Sequence, residues 1–423
     1  MSQFHLKRGS PEEEFPDLGQ NSTWMGQILT PAMYRRQFNR CTQSGVIFDD
    51  VIRLGLEEPG DVRLLSEDYT TIKIQLIRGS HRHSGNRNLT MNIRFWFIWK
   101  ECQCWSVTAQ SVTSVYEGHW LGPVSVGCVA GDAQSYILFC DFFDQVIEAY
   151  HKHKVTSQTP ESDFNFDNLK GGDDLDRSYA VHCEVSAVRG VEDFCFPTHC
   201  SRGERRQLLT LARRALQWLE EEMPGRLLLL EELSQEQQRE LNLDSPSPTQ
   251  LRIGVARDWP DARAVWVSKN GSLVIWVNMD DHLKLVSTRN DANIAEAFKC
   301  ICINLQKLEN YYRELRHPFI WKLQLGWVTS SPAHVGTGLK VSVHLKLQHL
   351  PKHKRLQDVL KRLRIHMDST ESPALYHVSN ATTFGLSEVG LTQLVVDGVK
   401  LLIAMEKRLE DGRDIDNLIP TQK

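Results

Sequence analysis

Apolar residues recur along this chain at two distinct periods, and the switches between them divide it into regions. Residues 20–60 and 118–155 carry short helical patterns. Phe139, Phe142, Phe143, Val146 and Ile147, three and four apart, predict a helix with one buried stripe. These two stretches read as one small α-rich unit. Ser201-Arg-Gly-Glu204 fits a capping box, in which the two side chains satisfy each other's backbone N–H groups. It opens an amphipathic helix through Leu208, Leu209, Ala212, Leu216 and Leu219. Asp291 is expected to cap a helix through Ile294, Phe298, Ile301, Leu305 and Leu308. A last helix over 388–410 repeats Leu391, Leu394, Val395, Leu402, Met405 and Leu409 until Gly412 stops it.

Elsewhere the period falls to two. Val341, Val343, Leu345 and Leu347 alternate with Lys340, Ser342, His344 and Lys346, which predicts a half-buried strand with one polar face free for ligand work. Val265–Ser268 and Leu273–Val277 flank Asn270-Gly271, a pair that supplies the positive φ angles of a two-residue hairpin connection. Strands patterned for one wet face, alternating with helices, imply an α+β fold: an antiparallel sheet flanked by helices, preceded by the small α-helical domain. The expected boundaries are 1–60 with 118–155 for the helical domain, 156–176 for a polar linker, and 177–423 for the large domain. Residues 61–117 read as an insertion of different texture. Their apolar run, Ile93 to Trp99, is interrupted by Arg94 and closed by Lys100, too short to span a membrane.

Composition narrows the classes. With 423 residues, 41% hydrophobic and 24% charged, the chain has the make-up of a large globular protein. A net charge of −4 gives no pull toward nucleic acid or anionic lipid. Met1 to Gly19 mixes Lys7, Arg8 and Glu12 to Glu14 without an apolar core, so neither a secretory nor a transit signal is expected and a cytoplasmic address follows. The ten cysteines are scattered and read as reduced thiols. Cys300 and Cys302 fall on an apolar helical pattern and read as inert. His81, His83, Cys102 and Cys104 lack the turn signals of a metal site, and no resident metal is expected.

Several strings then carry a resemblance: Gly171-Gly-Asp-Asp-Leu-Asp176, Pro197-Thr-His-Cys-Ser-Arg-Gly-Glu-Arg-Arg206, Ala256-Arg-Asp-Trp-Pro-Asp-Ala-Arg263, Gly336-Thr-Gly-Leu339 and Val396-Asp-Gly-Val-Lys-Leu-Leu402. In this order they resemble the creatine kinases of the phosphagen (guanidino) kinase family. Glu58-Pro-Gly60 and Glu117-Gly-His119 look like one family segment pushed apart. The resemblance implies a guanidino kinase fold, reversible phosphoryl transfer between Mg-ATP and creatine, and a homodimer or a heterodimer with a related kinase subunit. Creatine and ATP or ADP are the ligands it implies, with no nucleic-acid or membrane partner.

By the same resemblance, His182, Cys183, Glu184, Val185, Ser186, Glu240, Lys284, Lys340 and His377 occupy nucleotide-binding positions. Asp280 and Ser331 occupy catalytic ones, and Val126, Asp280 and Ala333 line the acceptor pocket. The chemistry at these positions departs from the family pattern. Two phosphate arginines become Glu184 and Ser186, two more become Lys284 and Lys340, and the catalytic glutamate and reactive cysteine become Asp280 and Ser331. A lysine keeps the charge but loses the planar fork that grips phosphate oxygens in pairs, and a hydroxyl does not ionise near neutral pH. Transfer is therefore expected to be strongly impaired or lost, leaving a scaffold or dimer partner. The other expectation is an active kinase with an altered nucleotide or guanidino acceptor.

Overall fold

The computed structural model describes residues 9–60, 71–78, 105–112, 124–156, 161–241, 243 and 245–420, with the backbone alone for Thr71–Arg78, Trp105–Val112 and Glu240. The chain divides into two compact units, Val62–His119 and all the rest. Among the described residues of the smaller unit are two strands, β1 (Thr71–Arg78) and β2 (Trp105–Val112), paired antiparallel from Thr71↔Val112 to Arg78↔Trp105. The sequence reading placed no element there. Its Ile93–Trp99 run and the residues His81, His83, Cys102 and Cys104 lie outside the described residues.

The larger unit begins with short helices: α1 (Pro11–Glu14), α2 (Trp24–Ile28), α3 (Pro31–Gln37), α4 (Phe48–Glu57), α5 (Ser135–Leu138) and α6 (Cys140–His151). The stripe read from the sequence is the buried face of α6, where Phe142, Phe143, Val146 and Ile147 are fully shielded beside Phe139. They share a core with Met25, Tyr34, Phe48 and Val51, and also with Phe196, Ile320, Val328, Val335 and Phe384 from the large sheet region, so helices and sheet region are one hydrophobic body. The residues flanking the smaller unit are held by a single short segment. Ser22 N–H donates to Pro59 O at 2.8 Å, and Trp24 and Met25 N–H donate to Ser125 O and Val126 O at 2.9 and 3.0 Å.

The large part holds an eight-stranded antiparallel sheet: β3 (Ala180–Arg189), β4 (Gly225–Leu229), β5 (Ala264–Ser268), β6 (Val274–Val277), β7 (Leu283–Arg289), then, after the two-residue strands β8 (Trp321–Lys322) and β9 (Gly326–Trp327), which pair separately, β10 (Leu339–Lys346), β11 (Ile365–Ser369) and β12 (Leu375–Asn380). Its spatial order is β11-β12-β10-β3-β7-β6-β5-β4. Helices α7 (Arg202–Glu220), α8 (Gln235–Glu240), α9 (Pro248–Arg252), α10 (Ile294–Glu314), α11 (Leu356–Leu363) and α12 (Glu388–Glu410) complete the α+β fold. Leu208, Leu216 and Leu219 of α7, Phe298, Ile301 and Leu305 of α10, and Leu391, Val395 and Leu402 of α12 pack with Val185, Val341 and Val343 in a single core. No helix among the described residues is long and apolar enough to cross a membrane.

Local signals hold with two corrections. Ser201 and Glu204 form the expected capping box, but α10 is capped by Asn293, whose side chain accepts from Glu296 N–H at 3.0 Å. Asp291 instead pairs with Arg289 at 2.7 Å and accepts from Asn293 N–H. A residue able to cap loses the role when a nearer competitor fits the first turn. The β5–β6 hairpin also exists, yet Ser268 N–H bonds Leu273 O, which leaves four residues in the loop instead of two. Only Gly271 takes a positive φ, while Asn270 uses its side-chain oxygen to accept from Ser272 N–H at 3.1 Å.

Candidate functional site

Strand pairing decides which predicted residues share a surface. On β10, Lys340 lies opposite Ser186, Ser342 opposite Glu184 and Ser379, and His344 opposite both His182 and His377. On the next strand Glu184 faces Thr288, Ser186 faces Val286 and Val188 faces Lys284. Because side chains alternate, these cross-strand partners stand on one face. His182, Glu184, Ser186, Lys284, Lys340 and His377 therefore line a common polar surface. Cys183 and Val185 point the other way, into the core, and their side chains do not line it. Glu240 ends α8, and its side chain lies outside the described residues.

Charges on this surface are sparse and mixed. Lys284 and Lys340 are exposed, Glu184 is half-buried between Ser342 and Thr288, and Ser186 is buried. At its far end the rings of His182 and His344 lie 5.3 Å apart, and those of His344 and His377 5.2 Å apart. Burial, followed by the neighbouring rings of His377 and His182, holds His344 below the ordinary imidazole range. His366 is likewise held down by burial.

The turn between β6 and β7 supplies the second cluster. Asn278, at φ +58°, is buried and donates to Arg205 O and Ala262 O at 2.9 and 2.8 Å, which fixes the turn. That leaves Asp280 exposed, with Gln250 Nε2 donating to its carboxylate at 3.2 Å. Met279 packs beside Leu230, Leu233 and Val265. Asp281, which the sequence reading passed over, is buried: it accepts from Ser330 N–H at 3.0 Å, and its other oxygen lies 3.5 Å from His334 Nδ1. Its signal in the sequence was the second acid of Asn278-Met-Asp-Asp-His282. Ser331 lies between Ser330 and Pro332, its hydroxyl accepting from Ala333 N–H at 3.3 Å. Ala130 N–H bonds Ser330 O at 2.7 Å, and Val126 and Ala333 belong to one apolar cluster. Asp280, Ser331 and Ala333 thus gather around residues 278–281 and 330–334, joined by the Ser330 hydroxyl donating to Asp280 O at 3.1 Å, while Val126 is placed only within the wider apolar cluster.

Buried groups set this frame. His282 donates from Nε2 to Cys195 O at 2.8 Å while Nδ1 accepts from Val191 N–H at 2.9 Å; burial lowers its pKa, so it stays neutral. Gly336-Thr-Gly338 is a structural turn. Gly336 at φ +94° and Gly338 at φ +60° pass so close to Thr383 O and Val188 O that a Cβ would lie 2.5 and 2.8 Å from them. Cys300 and Cys302 sit on α10 with thiol pKa values raised by burial, and no cluster of three or more metal-ligating side chains occurs among the described residues.

His151 of α6 ties the helical region to the same cluster. Its Nε2–H donates to Pro332 O and its Nδ1 accepts from the Thr382 hydroxyl, both at 2.9 Å. Burial pushes its pKa down to about 4, so the unfolded chain takes up a proton first as pH falls through about 6.5. Stability contributed by neutral His151 is present above that pH and is lost progressively toward pH 4, amounting to about 3 kcal/mol in all. Urea midpoints at pH 7 and pH 4.5 should show this slope, and His151→Gln should flatten it; an unchanged slope would remove His151 as the cause.

Two domain families match this arrangement in order. Residues 19–70 and 111–148 match the ATP:guanido phosphotransferase N-terminal domain, and residues 207–409 match its C-terminal catalytic domain. Rat creatine kinase M-type is 36% identical over 425 residues, covering 98% of this chain and 96% of that protein. The chain belongs to the ATP:guanido phosphotransferase family. Creatine kinase M-type from human shares the same 36% identity, again over 98% of this chain and 96% of that protein. Among solved structures, lombricine kinase superposes with a TM-score of 0.77 at 27% identity, covering 98% of this chain and 100% of that one. The duplicated taurocyamine kinase of Schistosoma mansoni superposes at 0.73 and 20% identity over 96% of this chain and 50% of that one, a likeness of fold. In this member of the family, the N-terminal family match breaks off at residue 70 and resumes at 111, leaving most of the smaller unit outside the match.

Proposed function

We propose that this chain is a creatine-kinase-like scaffold in which reversible phosphoryl transfer between Mg-ATP and creatine is strongly impaired or lost, and which works through its fold or as a subunit paired with itself or a related kinase in the cytoplasm. One observation carries this reading: the sheet face holding the residues at nucleotide positions offers Glu184, Ser186 and two lysines where the family resemblance calls for four guanidinium groups. A transferring phosphoryl group needs fixed cations around its oxygens, since little else stabilises that transition state. Lys284 and Lys340 supply charge without a fork, and Glu184 opposes it. On the acceptor side Asp280 is one methylene shorter than glutamate, and a misplacement of about 1 Å costs on the order of a hundredfold in rate. A coupled assay of the purified chain with Mg-ATP and creatine is expected to give at least about a thousandfold less turnover than creatine kinase M-type, the combined effect of weaker charge stabilisation and misplacement. Turnover within about tenfold of that enzyme would overturn the reading.

A second reading, an active phosphagen kinase with a different guanidino acceptor, draws on the acceptor-side cluster. Asp280 is open to solvent, and the buried Asp281 faces His334 beside Ser331. Structural relatives carry the names lombricine kinase and taurocyamine kinase. The same assay run with lombricine and taurocyamine separates the two readings.

A further inference from the structure

The loss of arginines explains what this face lacks, but not why three histidines stand in register on it. His182, His344 and His377 come from three adjacent strands and are paired directly across each ladder. His182 and His344 line an open cavity of about 410 Å3 with Thr370, Glu371 and Ser372 from the turn after β11. The charged and titratable groups that share this sheet face with the row, or line the cavity beside it, come from every neighbouring element. They are Glu184 on β3, Lys340 and Lys346 on β10, Lys284 on β7, His366 and Asp368 on β11, and Glu371 in the turn. Asp368 lies 3.9 Å from His377 Nδ1, and Asn290 Oδ1 lies 3.1 Å from His182 Nδ1. Three lysines against three carboxylates leave the face nearly neutral while the imidazoles are uncharged. Each proton the row takes up adds positive charge beside the cavity.

We propose that His182, His344 and His377 form a proton-dependent site for a polyphosphate chain, either free or carried by a nucleoside triphosphate. Adjacent imidazolium rings repel one another, so charging an empty row carries an electrostatic penalty. An anion laid along it removes that penalty and supplies phosphate oxygens as acceptors for N–H groups on each ring. Binding and protonation are then reciprocally linked: the ligand draws protons onto the row, and protons strengthen the ligand's grip. Burial, then the neighbouring rings of His377 and His182, hold His344 below the ordinary imidazole range, which adds to the proton uptake expected on binding. The site would bind phosphates conditionally where permanent guanidinium groups would bind them at any pH. The proposal rests on the reading of this face as the nucleotide surface, and its test separates the two.

The test is calorimetric titration of the full chain with ATP and with sodium tripolyphosphate, at constant ionic strength, at about pH 6 and about pH 8, on either side of the imidazole range. Each titration is run in two buffers of different ionisation enthalpy, with the ligand's own protonation subtracted. Affinity at the lower pH should be at least about tenfold higher, with uptake of about one proton or more per ligand near pH 6.5. H182Q/H344Q/H377Q should lose both the uptake and the pH dependence. Equal affinities for the two ligands would assign the site to phosphates alone, and tighter ATP would add a contact to the nucleoside; both support the row. ATP binding without proton uptake would overturn the histidine site and leave the nucleotide surface standing. Absence of binding at either pH would overturn both. If the triple variant does not fold, proton uptake by the native chain and the titration of its imidazole C–H resonances with tripolyphosphate decide the matter.

Discussion

Glu184→Arg combined with Ser186→Arg is expected to tighten ATP binding at pH 8 by about a hundredfold. Two unit charges about 4 Å apart at an effective dielectric of about 20 are worth on the order of 4 kcal/mol, so reversing the sign at position 184 swings the interaction by roughly 8. Position 184 is half-buried, and screening and side-chain rotation relieve most of that. A remainder of about 3 kcal/mol corresponds to the stated change. Both positions share a face with Lys340 and Lys284, so new guanidinium groups would converge with cations already present. Calorimetry at low and high salt measures the effect, which should shrink as salt rises. The matching double lysine variant should recover less than half of the free energy, because an ammonium cannot hold two oxygens in a plane. Tightening below about threefold would mean that phosphates do not lie on this face.

The second large effect concerns stability. Arg189 is 1% exposed; its Nη1 donates to Val188 O and Thr337 O at 2.7 and 2.9 Å, and its guanidinium lies 4.5 Å from the Trp327 ring centre. Burial pushes its pKa down to about 10, opposed by the charge of Glu388. Glu388 is itself buried, accepts from Asp163 N–H at 2.8 Å, and has its pKa raised by burial, with Arg189 acting against that rise. Arg189→Met would strip two carbonyls of their donor and leave a buried carboxylate without its compensating charge, costing about 3–5 kcal/mol. Urea unfolding measures the loss, and Glu388→Gln in the same chain should restore part of it. A loss below about 1 kcal/mol would show that apolar packing against Trp327 holds this junction without the charge.

Much of this architecture was legible in the residues because the signals are local. The alternation of Leu339 to Leu347 became β10, the stripe through Leu208 and Leu219 became the buried side of α7, and the Ser201 box holds. Asp291 and Asn293 compete for one cap, and only the path of the turn decides between them. The surface gathering of His182, His344 and His377 was not legible, because register between strands far apart in sequence sets it. Each histidine alone is an unremarkable polar residue on a strand. Asp281 was missed for a related reason: its neighbour Asp280 carries the resemblance, whereas the buried carboxylate shows its importance only through Ser330 and His334. In residues 61–117 no period was sustained, and the pairing of β1 with β2 joins segments more than twenty residues apart.

The clasp on Ser22, Trp24 and Met25 bears on how such a segment is tolerated. Pro59 and Ser125 are hydrogen-bonded to residues two apart in the chain, so departure and return points are fastened to one short ledge whatever lies between them. Lengthening an excursion whose ends are already fixed costs closure entropy that grows only logarithmically, about 0.6 kcal/mol for each doubling. Evolution can therefore trial new lengths and sequences at this doorway while the helices behind it keep their packing.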